Sequence, residues 1–157
     1  MTLEKDIRQA ENDAKTGWDS SKQLWFPHAS VEGGTKTIAY GHKCTADEQK
    51  QWEAAGISDT KANELFNTDL ATARAGVTAL LGSHKIEGQL SDGARAALTE
   101  MVFNIGRVKL DGFVKMWAAL GERPPNYGRA ADELKDSKWY RDVKAKRGDR
   151  VVSTMRG

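Results

Sequence analysis

The sequence predicts an α+β fold, with a small sheet lobe and a larger helical lobe joined by one long helix. Three observations carry this. Aromatic and threonine-led runs with turn glycines fall before Ser58. From Ser58 onward, apolar residues recur at helical spacing in segments that end at glycines. The first of those segments runs unbroken to Gly82, roughly six turns, enough to connect two lobes. The whole chain, 1–157, reads as one domain. Its small lobe covers about 12–57, the connecting helix about 58–81, and the helical lobe about 82–157 plus the N-terminal helix.

"LEKDIRQAENDAK" spaces Leu3, Ile7, Ala10 and Ala14 by three and four residues, an amphipathic helix that Gly17 ends. "KQLWFPH" and "KTIAYGH" read as two strands joined by a turn around "VEGGT". Pro27 makes the first an edge strand or terminates it. "SDTKANELFNTDLATARAGVTALLG" opens on capping residues and places Leu65, Leu70, Ala73 and Val77 on one face. "SDGARAALTEMVFNIG" is a second helix, capped by Ser91 or Asp92 and stopped at Gly106. "LDGFVKMWAALG" is a third, "PPNYGRAADELKDSKWYRDV" carries a fourth, and "KRGDRVVSTMRG" a short last one. The groove between the lobes is the expected ligand site.

Composition narrows the function. Of 157 residues 29% are charged and 39% hydrophobic, an ordinary balance for a compact domain. A net charge of +2 lacks the basic excess of nucleic-acid binders. The charge is uneven: from Lys135 onward there are eight Lys/Arg against three Asp. That is either a solvated basic face or a surface that meets an anionic polymer. The single cysteine, Cys44, excludes an intrachain disulfide and any zinc site of paired cysteines, and reads as a passive thiol. "MTLEKDIRQAENDAK" does not have the form of a secretory signal, and no stretch is long enough for membrane insertion. The expectation is a cytoplasmic protein that another agent must release.

No nucleotide-binding loop, nucleophile elbow or metal-type histidine spacing occurs, so neither cofactor nor metal is expected. His28, His42 and His84 are scattered, and each reads first as structural. What remains is a set of carboxylates near a polar hairpin. Glycoside hydrolysis needs a protonated acid at the leaving oxygen and a second group for the water or the oxocarbenium ion. A glutamate ending the first helix, facing a hairpin with hydroxyl and carboxylate side chains, could supply both.

Three stretches, "IRQAEN", "TIAYGH" and "ALTEMVFNIG" followed by "GFVKMW" and "DSKWYRDV…KRGDRVVSTMRG", together resemble the phage-type lysozymes. This muramidase family includes the lysozymes of T-even phages. The resemblance runs from about Leu3 to Arg156 and implies a lysozyme-like two-lobe fold. It implies that Glu11 is the general acid, which must hold its proton near neutral pH. It also implies that Arg147 faces and orients this acid; the arginine's charge draws the acid's pKa down, so desolvation must compensate. Thr37 matches the family's strand threonine, whose hydroxyl can hold a water beneath the sugar ring.

The middle catalytic position departs from the family. The family's spacing, counted back from Thr37, lands on Val31, which offers no such chemistry. Glu32 is the favoured candidate and His28 the next, with Ser30 also in range; Asp19 lies too early unless "GWDSSK" folds back. Each has a plainer reading, which for Glu32 is a turn carboxylate. By resemblance, Phe103 and Asn104 line the mouth of the cleft, and Lys43 joins them as a substrate-binding candidate. Glu133 stands where the family has a substrate-contacting Asn, and Met116 where it has a Ser. Trp117 and Trp139 read as core, and His42 with Asp69 as a structural pair.

The resemblance thus implies a peptidoglycan hydrolase cutting the β-1,4 bond between N-acetylmuramic acid and N-acetylglucosamine. It would be a monomer, without nucleic acid, dependent on a holin-type pore to reach the wall. A lytic transglycosylase using a single glutamate is the alternative, and an inactive wall-binding module a third reading.

Overall fold

The computed structural model describes residues 2–30, 34–86 and 88–157. They divide into two compact units, residues 1–69 and 70–157.

The first unit opens with α1 (Leu3–Asn12), capped by Thr2, whose hydroxyl accepts from the Lys5 N–H. Two antiparallel hairpins follow. In the first, β1 (Trp18–Asp19) pairs with β2 (Leu24–Trp25); in the second, β3 (Thr37–Ile38) pairs with β4 (His42–Lys43). A backbone bridge between His28 and Thr37 links them, and Trp25 pairs with Ile57.

This corrects the expected pair of long strands. "KTIAYGH" is itself a hairpin, because Ala39 and Gly41 take positive φ, 54° and 85°, and reverse the chain between Ile38 and His42. β2 stops at Trp25, before Pro27, whose ring nitrogen has no hydrogen for a ladder. The expected turn at "VEGGT" falls largely on residues 31–33, outside the described residues. α1 stops at Asn12, ahead of Gly17. Gly17 is needed for a close approach instead: at φ 87° a Cβ there would lie 2.4 Å from the Phe26 carbonyl oxygen.

A helix that the apolar pattern did not reveal, α2 (Ala46–Ala55), follows the second hairpin. It buries only Trp52, so periodicity is faint, but Thr45 and Glu48 form a complete capping box. The unit's core is Trp25, Ile38, Ala39, Cys44, Trp52, Ile57 and Ala62. Burial pushes the Cys44 thiol up to about 11, which makes it inert at neutral pH.

α3 (Asp59–Ser83) is a continuous 25-residue helix, with the Ser58 hydroxyl accepting from the Lys61 N–H at its start. Its second half, with Ala73, Val77, Leu80 and Leu81 buried, belongs to the second unit. α4 (Asp92–Ile105) is capped by Ser91 and stopped at Gly106, as predicted. The expected third helix is two, α5 (Arg107–Asp111) and α6 (Val114–Leu120), separated at Gly112–Phe113, where Phe113 leaves the helical region at ψ 62°. The fourth is also two, α7 (Tyr127–Lys135) and α8 (Lys138–Asp142). Ser137 sits between them in extended conformation and caps α8 by accepting from the Tyr140 N–H. α9 (Ala145–Arg156) closes the chain and packs on α4 and α7. No strand occurs among the described residues of this unit, and the α+β prediction holds. Among the described residues no helix is long and apolar enough to cross a membrane.

Candidate active site

Glu11 is the penultimate residue of α1 and half-buried. Its carboxylate lies against the backbone of Gly41 at the start of β4. A Cβ on Gly41 would stand 2.5 Å from Glu11 Oε2 and 2.9 Å from Cδ. The carboxylate thus sits on bare glycine backbone, and φ 85° independently favours glycine at this position. Arg8, one turn earlier, donates to Asn63 Oδ1 and lies over the rings of Tyr40 and Phe66, at 4.9 and 4.2 Å. These contacts fix α1 against the second hairpin and α3.

Register gathers three expected site residues. Thr37 is directly opposite His28 on one side and Lys43 on the other. Directly opposed residues in antiparallel pairs project to the same face, so His28, Thr37 and Lys43 form one row. The Thr37 N–H and C=O both go to His28, at 3.0 and 2.8 Å. The pair with Lys43 is therefore the non-hydrogen-bonded kind, whose side chains approach more closely. Lys43 is exposed; Thr37 and His28 are half-buried. His28 Nε2 is buried without a hydrogen-bond partner among the described residues. Asp19 is engaged locally: its Oδ1 accepts from the N–H groups of Ser21 and Lys22 and shapes the first hairpin's turn. Ser30 is half-buried, and Glu32 lies outside the described residues.

His42 is clamped between two carboxylates, with Nδ1 2.8 Å from Asp69 Oδ2 and Nε2 3.2 Å from Glu48 Oε1. The hydrogen bond to Asp69 raises its pKa above the ordinary value; burial opposes this, and the charges of Asp69 and Glu48 add to the rise. Glu48 also accepts from the Thr45 N–H at 2.9 Å. Burial works against its charge, but the Thr45 N–H and His42 outweigh that and hold its pKa low. A raised folded-state pKa means that folding binds a proton more tightly. The resulting stability is complete below the unfolded value of about 6.5 and is lost as pH rises through the folded value. Asp69→Asn is expected to lose most stability relative to wild type at about pH 5–6, and progressively less at alkaline pH. Denaturant melts of both proteins across that range check this, and parallel curves would remove the role.

The chain matches the phage lysozyme family over residues 26–155. It belongs to that family. A similar protein is "Probable T4-type lysozyme 2" of Dictyostelium discoideum, 29% identical over 115 residues, covering 73% of this chain and 64% of the relative. The chain thus spans a little under two thirds of that relative. The family match includes the row of Thr37 but begins at Phe26, after α1, so Glu11 stands on its own geometry.

The second unit of this phage lysozyme family member holds the other expected residues. Phe103 is half-buried and packs on the core. Asn104 Oδ1 accepts from the Trp139 indole N–H at 2.9 Å, which commits its oxygen to structure. Glu133 is half-buried on α7. Met116, 1% exposed, and Trp117 are core residues, which removes Met116 from any subsite. Arg147 is buried and donates through Nε to Glu100 Oε2 at 2.9 Å. Arg150 donates to the same oxygen.

Asn12, Gly41, Glu48 and Glu100 were not anticipated. Two had legible signals: a glycine inside an apparent strand marks a turn or close approach, and Thr45-x-x-Glu48 is a capping box. For Glu100, a charged residue within a helix, nothing local announces a buried ion pair.

Proposed function

We propose that this chain is a peptidoglycan hydrolase that cleaves the β-1,4 bond between N-acetylmuramic acid and N-acetylglucosamine, with Glu11 as general acid. The reading rests on one observation above all. The Glu11 carboxylate lies on the bare backbone of Gly41, in the hairpin that carries Thr37. Membership of the phage lysozyme family supports it. Glu11 gives its proton to the glycosidic oxygen as the bond to the anomeric carbon breaks. A water then attacks that carbon and gives up its proton to solvent, from which the Glu11 carboxylate regains the one it donated. Thr37, which can donate and accept at once, holds the water, and His28 is its neighbour in the row.

A second reading has its own observation. The carboxylate position of the family falls on Val31, and the residues in row with Thr37 are a histidine and a lysine. A lytic transglycosylase needs only one acid/base glutamate, because a hydroxyl of the muramyl residue replaces water. Purified peptidoglycan distinguishes the two: free reducing muramic ends mark hydrolysis, and anhydro-muramic ends mark transglycosylation. Failure of the protein to clear outer-membrane-stripped cells or to release any fragment overturns both.

A further inference from the structure

Asn12 follows Glu11 and ends α1, where backbone carbonyls lack helical partners. The residue is 9% exposed, and its side chain is hydrogen-bonded at both ends of the amide. Nδ2 donates to the Ala39 carbonyl at 2.8 Å and to the Thr16 carbonyl at 3.0 Å. Oδ1 accepts from the Thr16 N–H at 2.8 Å. Both amide hydrogens and the oxygen are thereby employed. The Thr16 bonds are local and shape the exit from the helix. The Ala39 bond crosses 27 residues and reaches the second hairpin at its reversal, where Ala39 holds φ 54°.

That reversal presents Gly41 to the Glu11 carboxylate, which lies directly against its bare backbone. The amide of Asn12 therefore controls both partners: where α1 stops, and where the turn beneath the carboxylate sits. A carboxylate at position 12 would keep the acceptor for Thr16 but would set a charge, without an N–H, against two carbonyl oxygens. Alanine would leave the Ala39 carbonyl buried without this donor.

We propose that Asn12 is a positioning residue for Glu11, acting through its paired hydrogen bonds to Thr16 and Ala39. This rests on the reading of Glu11 as the general acid. A displacement of about 1 Å at a reacting group is enough to cost up to about a hundredfold in rate. The effect belongs in kcat, since the amide touches no substrate.

The test is a double-mutant cycle on soluble, uncrosslinked peptidoglycan, below the melting temperature of every variant. Asn12→Ala is expected to lower kcat by about tenfold or more, with KM changed less than about twofold. In the Glu11→Gln background the same substitution is expected to leave the residual rate unchanged, because no proton donor remains to be positioned. Should Asn12→Ala fail to fold, the neutral and small Asn12→Ser takes its place with the same expectation. Wild-type kcat in a folded Asn12 variant overturns the inference. So does an equal loss in both backgrounds, which marks a purely structural role. Wild-type activity of Glu11→Gln alone is a separate result: it removes the acid assignment and this inference with it.

Discussion

Glu11→Gln is expected to clear cell walls at least about a hundredfold more slowly than wild type, the usual scale for loss of a general acid. The substitution keeps the shape of the side chain and its place against Gly41, where an amide fits as a carboxylate does. It removes the one proton that must reach the glycosidic oxygen as the bond breaks. α1 is fixed by Arg8 on Tyr40 and Phe66 and by Asn12 on Ala39, so the helix stays docked and the melting temperature barely moves. Turbidity clearing, with the melting curve measured beside it, decides. A folded Gln variant with full activity would sink the assignment, and the row of His28, Thr37 and Lys43 would become the place to seek the acid.

The largest expected stability effect lies in the second unit. Glu100→Gln is expected to lower stability by about 3 kcal/mol, the scale of removing one partner from a buried ion pair. Glu100 and Arg147 have side chains only 4% and 9% exposed, and one oxygen of Glu100 accepts from both Arg147 and Arg150. Water cannot replace the lost charge there. For a chain of this size the loss corresponds to a fall of roughly 6–12 °C in melting temperature. Asp142→Asn is the comparison. Its partner Lys138 lies 3.3 Å away, but the two side chains are 85% and 60% exposed. Solvent screens that pair, and its loss is expected to cost less than about 0.5 kcal/mol. Equal effects from both variants would show that burial adds nothing to the Glu100 cluster.

Helices were the most legible part of this protein. Apolar spacing located α1, α3 and α4, and capping residues placed the starts of α3 and α4, because both signals lie within a few residues of one another. Where the reading merged helices, at Gly112–Phe113 and at Ser137, the apolar pattern continued across a local break. α2 escaped because one buried tryptophan leaves little period to find, while its cap was in plain sight. The hairpins were the hardest. Strands of two residues carry no alternation, and positive φ at Ala39, a residue that rarely adopts it, turned an apparent strand into a reversal.

By itself the sequence determined the α+β class, the long helix, the family and Glu11 as the residue to question. Those follow from periodicity, caps and motif strings, all of which are properties of neighbouring residues. The tertiary structure alone decided the rest. It set Glu11 on Gly41, tied Asn12 to Ala39, added Glu48 to the expected pair of His42 and Asp69, and gave Glu100 two arginines. The Asn12, Asp69 and Glu100 bonds join residues 27 to 50 positions apart. Such bonds form only where the folded backbone returns to the same point and excludes water from it, and no local pattern in the chain encodes that return.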